Sequence, residues 1–170
     1  HMTDATPATS AAPTVLLVHG AFADSSSWNG VIERLQAAGV PVRALSNPLR
    51  GIALDAAYVA SAIKQVPGPV LAVGHSYGGA VISNAATGLG NIVGLVFVAA
   101  FAPEEGEALQ EIEADSKDSV LSSALLEWRY PTGSDSESAV EFAIDPAKFH
   151  DAFASDVSEE QAAVMAATQR

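Results

Sequence analysis

The sequence predicts an α/β fold: a parallel sheet of about four strands with flanking helices, followed by an acidic α+β segment. Three observations predict it. Short apolar runs alternate with helical stripes through the first hundred residues, the pattern of right-handed βαβ units. The first run is apolar at nearly every position, as in a strand covered on both faces. The charge then changes abruptly. Up to Pro103, Asp4, Asp24, Glu33 and Asp55 balance Arg34, Arg43, Arg50 and Lys64, so the whole net charge of −12 falls on residues 104–170. The chain therefore divides into a flexible lead-in (1–13), an α/β core (14–103) and an acidic segment (104–170).

Taken in order, Thr-Val-Leu-Leu-Val at 14–18 is a strand that ends on His19-Gly20. Ser25, Ser26 and Ser27 offer caps to a helix whose Trp28, Val31, Ile32 and Leu35 stand at i, i+3, i+4 and i+7, with Gly39 closing it. Residues 40–45 form a second strand, and Asn47-Pro48 with Gly51 a loop. Asp55 is placed to cap a helix carrying Tyr58, Val59, Ala62, Ile63 and Val66, which Pro67-Gly68-Pro69 stops. Residues 70–73 and 92–98 supply a third and a fourth strand. Beyond Pro103, residues 107–124 and 158–168 read as helices, and 127–130 with 139–144 as a hairpin around Pro131-Thr132-Gly133.

Composition narrows the function classes. Hydrophobic residues make up 49% and charged ones 16%, which supports a packed core. The absence of cysteine removes disulfides, zinc–thiolate sites and cysteine nucleophiles. His1-Met2 reads as a cloning remnant. The lead-in carries neither a basic n-region nor an apolar h-region, so cytoplasm is the default location. No apolar run approaches the roughly 20 residues a membrane helix needs, and the acidic balance repels nucleic acid and anionic lipid. No spacing of His, Asp or Glu suggests a metal, no phosphate loop is present, and no cofactor is expected.

The chemistry is carried by Gly74-His75-Ser76-Tyr77-Gly78, set directly after a buried-strand pattern and before a helix of small residues, Ala80, Ser83, Ala85 and Ala86. Gly-x-Ser-x-Gly alone is a common turn. Between a strand and a helix it fits a nucleophile elbow, a strained bend that lifts the serine hydroxyl above the sheet. Ser76 is the expected nucleophile. An acyl-transfer site also needs two backbone N–H donors for the oxyanion, and Tyr77 and Ala21 are placed to supply them, each worth roughly 3 kcal/mol in the transition state. Phe22 is expected in the substrate pocket together with His19 and His75. The two histidines are expected to hold loop and elbow by hydrogen bonds and not to act as the base. Trp28, on the helix stripe, is expected in the core.

These motifs resemble the α/β-hydrolase superfamily, and within it small bacterial members similar to plant methyl esterases and hydroxynitrile lyases. The resemblance rests on Leu16-Leu17-Val18-His19-Gly20-Ala21-Phe22, Ser27-Trp28, the elbow Gly74 to Gly79, and Val96-Phe97-Val98-Ala99-Ala100-Phe101-Ala102-Pro103. It implies a partial α/β-hydrolase fold, with residues 104–170 as the cap or lid that shapes the substrate pocket. It also implies esterase-like attack on a small carboxylic ester. Hydroxynitrile-lyase-type chemistry and a non-catalytic binding or assembly fragment are the alternatives. Dehalogenase and epoxide-hydrolase chemistry is disfavoured, because those relatives carry Asp where Ser76 stands.

The resemblance further implies a triad acid and histidine on later strands, beyond the cap, so residues 1–170 are expected to be a fragment with impaired turnover. His150 could replace the base and Glu104 or Glu105 the acid, but a packing or surface role is expected for His150. The 92–98 strand would then lack a neighbour. Its apolar edge is expected to pair with a second copy of the chain or with the C-terminal remainder.

Overall fold

The computed structural model describes residues 12–100, 121–133 and 136–170. β1 (Thr14–Val18), β2 (Val42–Leu45), β3 (Val70–His75) and β4 (Ile92–Val98) form one parallel sheet in the order β2-β1-β3-β4. Helices α1 (Asn29–Ala37), α2 (Ile52–Lys64) and α3 (Tyr77–Ala85) flank it. This is the expected partial α/β-hydrolase core.

The period-2 alternation of β1 explains the layering. Leu16 and Val18 point into a cluster with Val59 and Ile63 of α2 and Val81 and Ile82 of α3. Val15 and Leu17 point the other way, to Trp28 and to Ile32 and Leu35 of α1. Both faces of the strand are dry, which is why it tolerates no polar residue after Thr14. β1 and β3 are paired on both sides, whereas among the described residues β4 pairs with β3 alone, its other edge unpaired.

Three local expectations change. The first helix opens as a 3-10 turn over Ser25–Trp28, capped by Asp24 accepting from the Ser26 N–H at 2.9 Å, so the cap is the aspartate and not one of the serines. The tighter winding rotates Trp28 out of register with the α-helix that follows. Trp28 is buried while Val31 is exposed. The second helix begins at Ile52 behind Gly51, one turn earlier than expected. Asp55 lies inside that first turn, wholly buried, where it faces the core.

The C-terminal part holds β5 (Leu125–Pro131) and β6 (Ser138–Ile144) as an antiparallel pair, then α4 (Pro146–Phe153) and α5 (Glu159–Thr168). The hairpin and the last helix follow the sequence reading; α4 is an addition to it. The helix expected over 107–124 lies outside the described residues up to 120, and Leu121–Ala124 form a 3-10 turn. Phe149, Ile144, Ala124, Ala154, Ala162 and Ala166 build a separate small core. Phe22, from the loop after β1, packs into it, edge-on to Phe153 at 6.1 Å.

Candidate active site

The C-terminal ends of β1, β2 and β3 converge on one place. β3 runs to His75, and the chain turns through Ser76 straight into α3. Ser76 has φ 52 and ψ −123, a left-handed conformation that a side-chain-bearing residue adopts only under constraint. The constraint is visible. A Cβ on Gly74 would meet Gly78 O at 2.5 Å, and one on Gly78 would collide with Val18 O of β1. Strand, turn and helix are thus pressed together at a point where only hydrogen atoms fit.

Ser76 occupies the N-cap position of α3, yet its side chain makes no capping hydrogen bond. A serine at that position normally spends its hydroxyl on the helix's free N–H groups. Here the hydroxyl makes no such bond, although it sits at the positive end of the helix.

The loop after β1 abuts the elbow. The Gly20 Cβ position lies 2.9 Å from His75 O, 3.0 Å from Ser76 Cβ and 3.4 Å from Tyr77 N. The loop that leads into Ala21 therefore lies against Ser76 and Tyr77, the first residue of α3. Phe22 has φ 60 and donates its N–H to Arg170 O at 3.0 Å, so this loop is bonded to the end of the C-terminal segment.

His19 is wholly buried, and both ring nitrogens are committed. Asn47 N–H donates to Nε2 at 3.0 Å, which leaves Nδ1 to carry the proton and donate to Gly20 O at 2.8 Å. Burial pushes its pKa below the ordinary 6.5, against the raising effect of the Gly20 carbonyl. Expected among the substrate-binding residues, His19 lies behind the loop, out of contact with solvent. His75 is half-buried and turned toward Trp28, ring centroids 6.2 Å apart, with its pKa also lowered by burial. Phe22 is the member of that expected set which reaches the junction with the C-terminal segment. His150 Nε2 donates to Val157 O at 2.8 Å and ties α4 to the turn before α5. Glu104 and Glu105 lie outside the described residues.

One buried acid escaped the sequence reading as a site residue. Asp55 accepts the Tyr77 hydroxyl at 2.6 Å on Oδ2 and the Arg50 N–H at 2.9 Å on Oδ1. Burial first, and the neighbouring carboxylate second, push the Tyr77 phenol well above its ordinary pKa, so it remains a donor. The signal that could have found Asp55 is weak: an acidic residue among Ala and Val on a helix face that must otherwise be apolar. Among the described residues no group of three or more His, Asp or Glu is placed to hold a metal, and no helix is long and apolar enough to cross a membrane.

A family model described as the alpha/beta hydrolase family matches residues 15–170. Comparison with curated proteins gave no match. Among solved structures the chain is similar to polyneuridine aldehyde esterase, with TM-score 0.75 and 21% identity over 94% of this chain and 68% of that one. It is similar to tomato methylketone synthase I complexed with 2-tridecanone, with TM-score 0.73 and 19% identity over 94% and 67%. It is also similar to an extracellular alpha/beta-hydrolase from a Paenibacillus species, with TM-score 0.64 and 21% identity over 93% and 66%. Likeness at these identities concerns the fold, and this chain spans about two thirds of the length of those structures.

Proposed function

This chain belongs to the alpha/beta hydrolase family, and we propose that within it Ser76 is the nucleophile of an esterase-like acyl transfer on a small carboxylic ester. The observation that carries the reading is the left-handed Ser76, held by close-packed glycines, with a hydroxyl that caps nothing. The N–H groups of Tyr77 and Ala21 receive the oxyanion, one from the head of α3 and one from the loop pressed against it. Phe22, at the junction with the C-terminal segment, contributes to the wall of the acyl pocket. His19 and His75 hold the loop and the elbow.

A general base has to come from a residue other than these. His19 and His150 have ring nitrogens bound to backbone groups, and His75 faces Trp28. The same observation favours the second reading, a binding module that keeps the elbow without turnover. Hydrolysis of p-nitrophenyl acetate by the chain and by Ser76→Ala separates the two. An oxyanion hole with binding alone retains about 10³–10⁴-fold over water. A rate that drops to background in the variant supports the enzyme, and identical rates support the binding module.

The open edge of β4 completes the proposal. Val93 is 61% exposed and Val96, Phe97 and Val98 about 40%, in a strand without charge. On so apolar a strand, backbone groups that no described residue pairs favour a further strand beside them, from a second copy or from another segment of the protein.

A further inference from the structure

We infer that the loop joining β2 to α2, together with the first turn of α2, is a brace that sets both oxyanion amides, with Asn47 of the loop and Asp55 of that turn as its positioning residues. The inference rests on the reading of Ala21 and Tyr77 given above and names what holds them.

The loop spans residues 46–51 and has a bond at each end. Near its start Asn47, wholly buried, holds His19 twice: its N–H donates to Nε2 at 3.0 Å, and its Nδ2 donates to His19 O at 3.1 Å. His19 in turn donates to Gly20 O, so Asn47 fixes the peptide that leads into Ala21. Near its end the Arg50 N–H donates to Asp55, and Asp55 receives the Tyr77 hydroxyl. One short segment thereby grips the loop bearing one amide and the residue bearing the other.

Three features argue that this grip is more than ordinary packing. Asn47 Oδ1 is buried without a partner, a cost that an apolar residue at this position would avoid. Asp55 is wholly buried, and among the described residues no cation pairs with it: the Arg50 guanidinium turns outward, to Glu141 at 2.7 Å and over the Tyr130 ring at 4.0 Å. The carboxylate is balanced by two dipoles and the first turn of α2 alone. A buried charge so placed tolerates little displacement of its donors, one of which is the Tyr77 side chain. Leu49, with φ 55, keeps the loop in a shape a relaxed chain avoids.

The test uses Tyr77→Phe, which deletes one oxygen and keeps the backbone amide, together with Asp55→Asn and the double variant. If hydrolysis of p-nitrophenyl acetate is Ser76-dependent, each single variant is expected to lower kcat roughly 10- to 100-fold with KM within about twofold, since a misplaced donor is felt in the transition state. The double variant should be no worse than the poorer single one. Unchanged kcat, or a loss confined to KM, overturns the brace. If Ser76→Ala and the parent chain are equally inactive, the hydrolase reading fails by itself, and backbone amide resonances decide the brace instead. Tyr77→Phe must then shift the Ala21 amide as well as that of residue 77, and an unmoved Ala21 amide overturns it.

Discussion

Gly78 shows how little room the residue scale leaves. Its missing side chain is what lets α3 start against Val18 O, and a methyl there has backbone to collide with and no flexible neighbour to displace. Gly78→Ala is expected to destabilise the fold by about 3 kcal/mol, read as a drop in the urea midpoint. A change within about 0.5 kcal/mol would mean that the elbow is looser than described. His19 makes a prediction of opposite character. Because burial lowers its pKa below 6.5 in the fold, the unfolded chain binds the proton more readily. Its contribution is intact above about pH 6.5 and is lost as pH falls through the folded value, with His75 acting in the same direction. Urea midpoints should therefore fall between pH 7.5 and 5.5, and a flat or rising profile would contradict the burial assigned to these rings. The bend at Ser76 between β3 and α3 was legible from residue types at fixed spacing next to a strand. The part played by Asp55 was not, because its partners are 5 and 22 positions away in the chain.

At the scale of elements, sequence reasoning found what periodicity and punctuation encode. β1 and β4 have the predicted bounds because their apolar runs end at a polar residue or a turn, and β3 extends two residues further to carry the elbow. The first helix went wrong at its start, where three consecutive serines masked Asp24 as the cap and the 3-10 turn broke the stripe. α4 was overlooked although Asp145-Pro146 is a helix start, with the Asp145 side chain accepting from the Ala147 N–H at 3.0 Å and Pro146 in the first turn. Its short, mixed stripe gave no periodic signal. Asp145→Ala should cost about 1 kcal/mol and loosen Phe149, the largest wholly buried side chain of the C-terminal core. Urea unfolding together with the near-ultraviolet circular dichroism of the aromatic cluster checks both; an unchanged midpoint would show that Pro146 alone fixes the start.

At the scale of the molecule, the described residues of the α+β segment meet the parallel core through Phe22, Arg170 and the Arg50 side chain, which reaches both Glu141 and Tyr130. The Arg50–Glu141 pair is about one third exposed on each side and is worth under about 1 kcal/mol, so the apolar contacts of Phe22 carry more of the junction. The sheet's open β4 edge gives a prediction at the same scale. Light scattering over a range of concentrations should detect association of the chain, and Val96→Lys should suppress it; a monomer throughout would contradict pairing with a second copy through this edge. The role proposed for Ser76 is narrower than any of these: its strained turn would offer the hydroxyl to an acyl carbon, with the Tyr77 and Ala21 amides as donors to the oxyanion. Mass mapping of peptides after brief exposure to p-nitrophenyl acetate tests it directly. The account predicts an acetyl group on the peptide containing Ser76 and none there in Ser76→Ala, whereas acetylation only at lysines and the amino terminus, alike in both proteins, would contradict it.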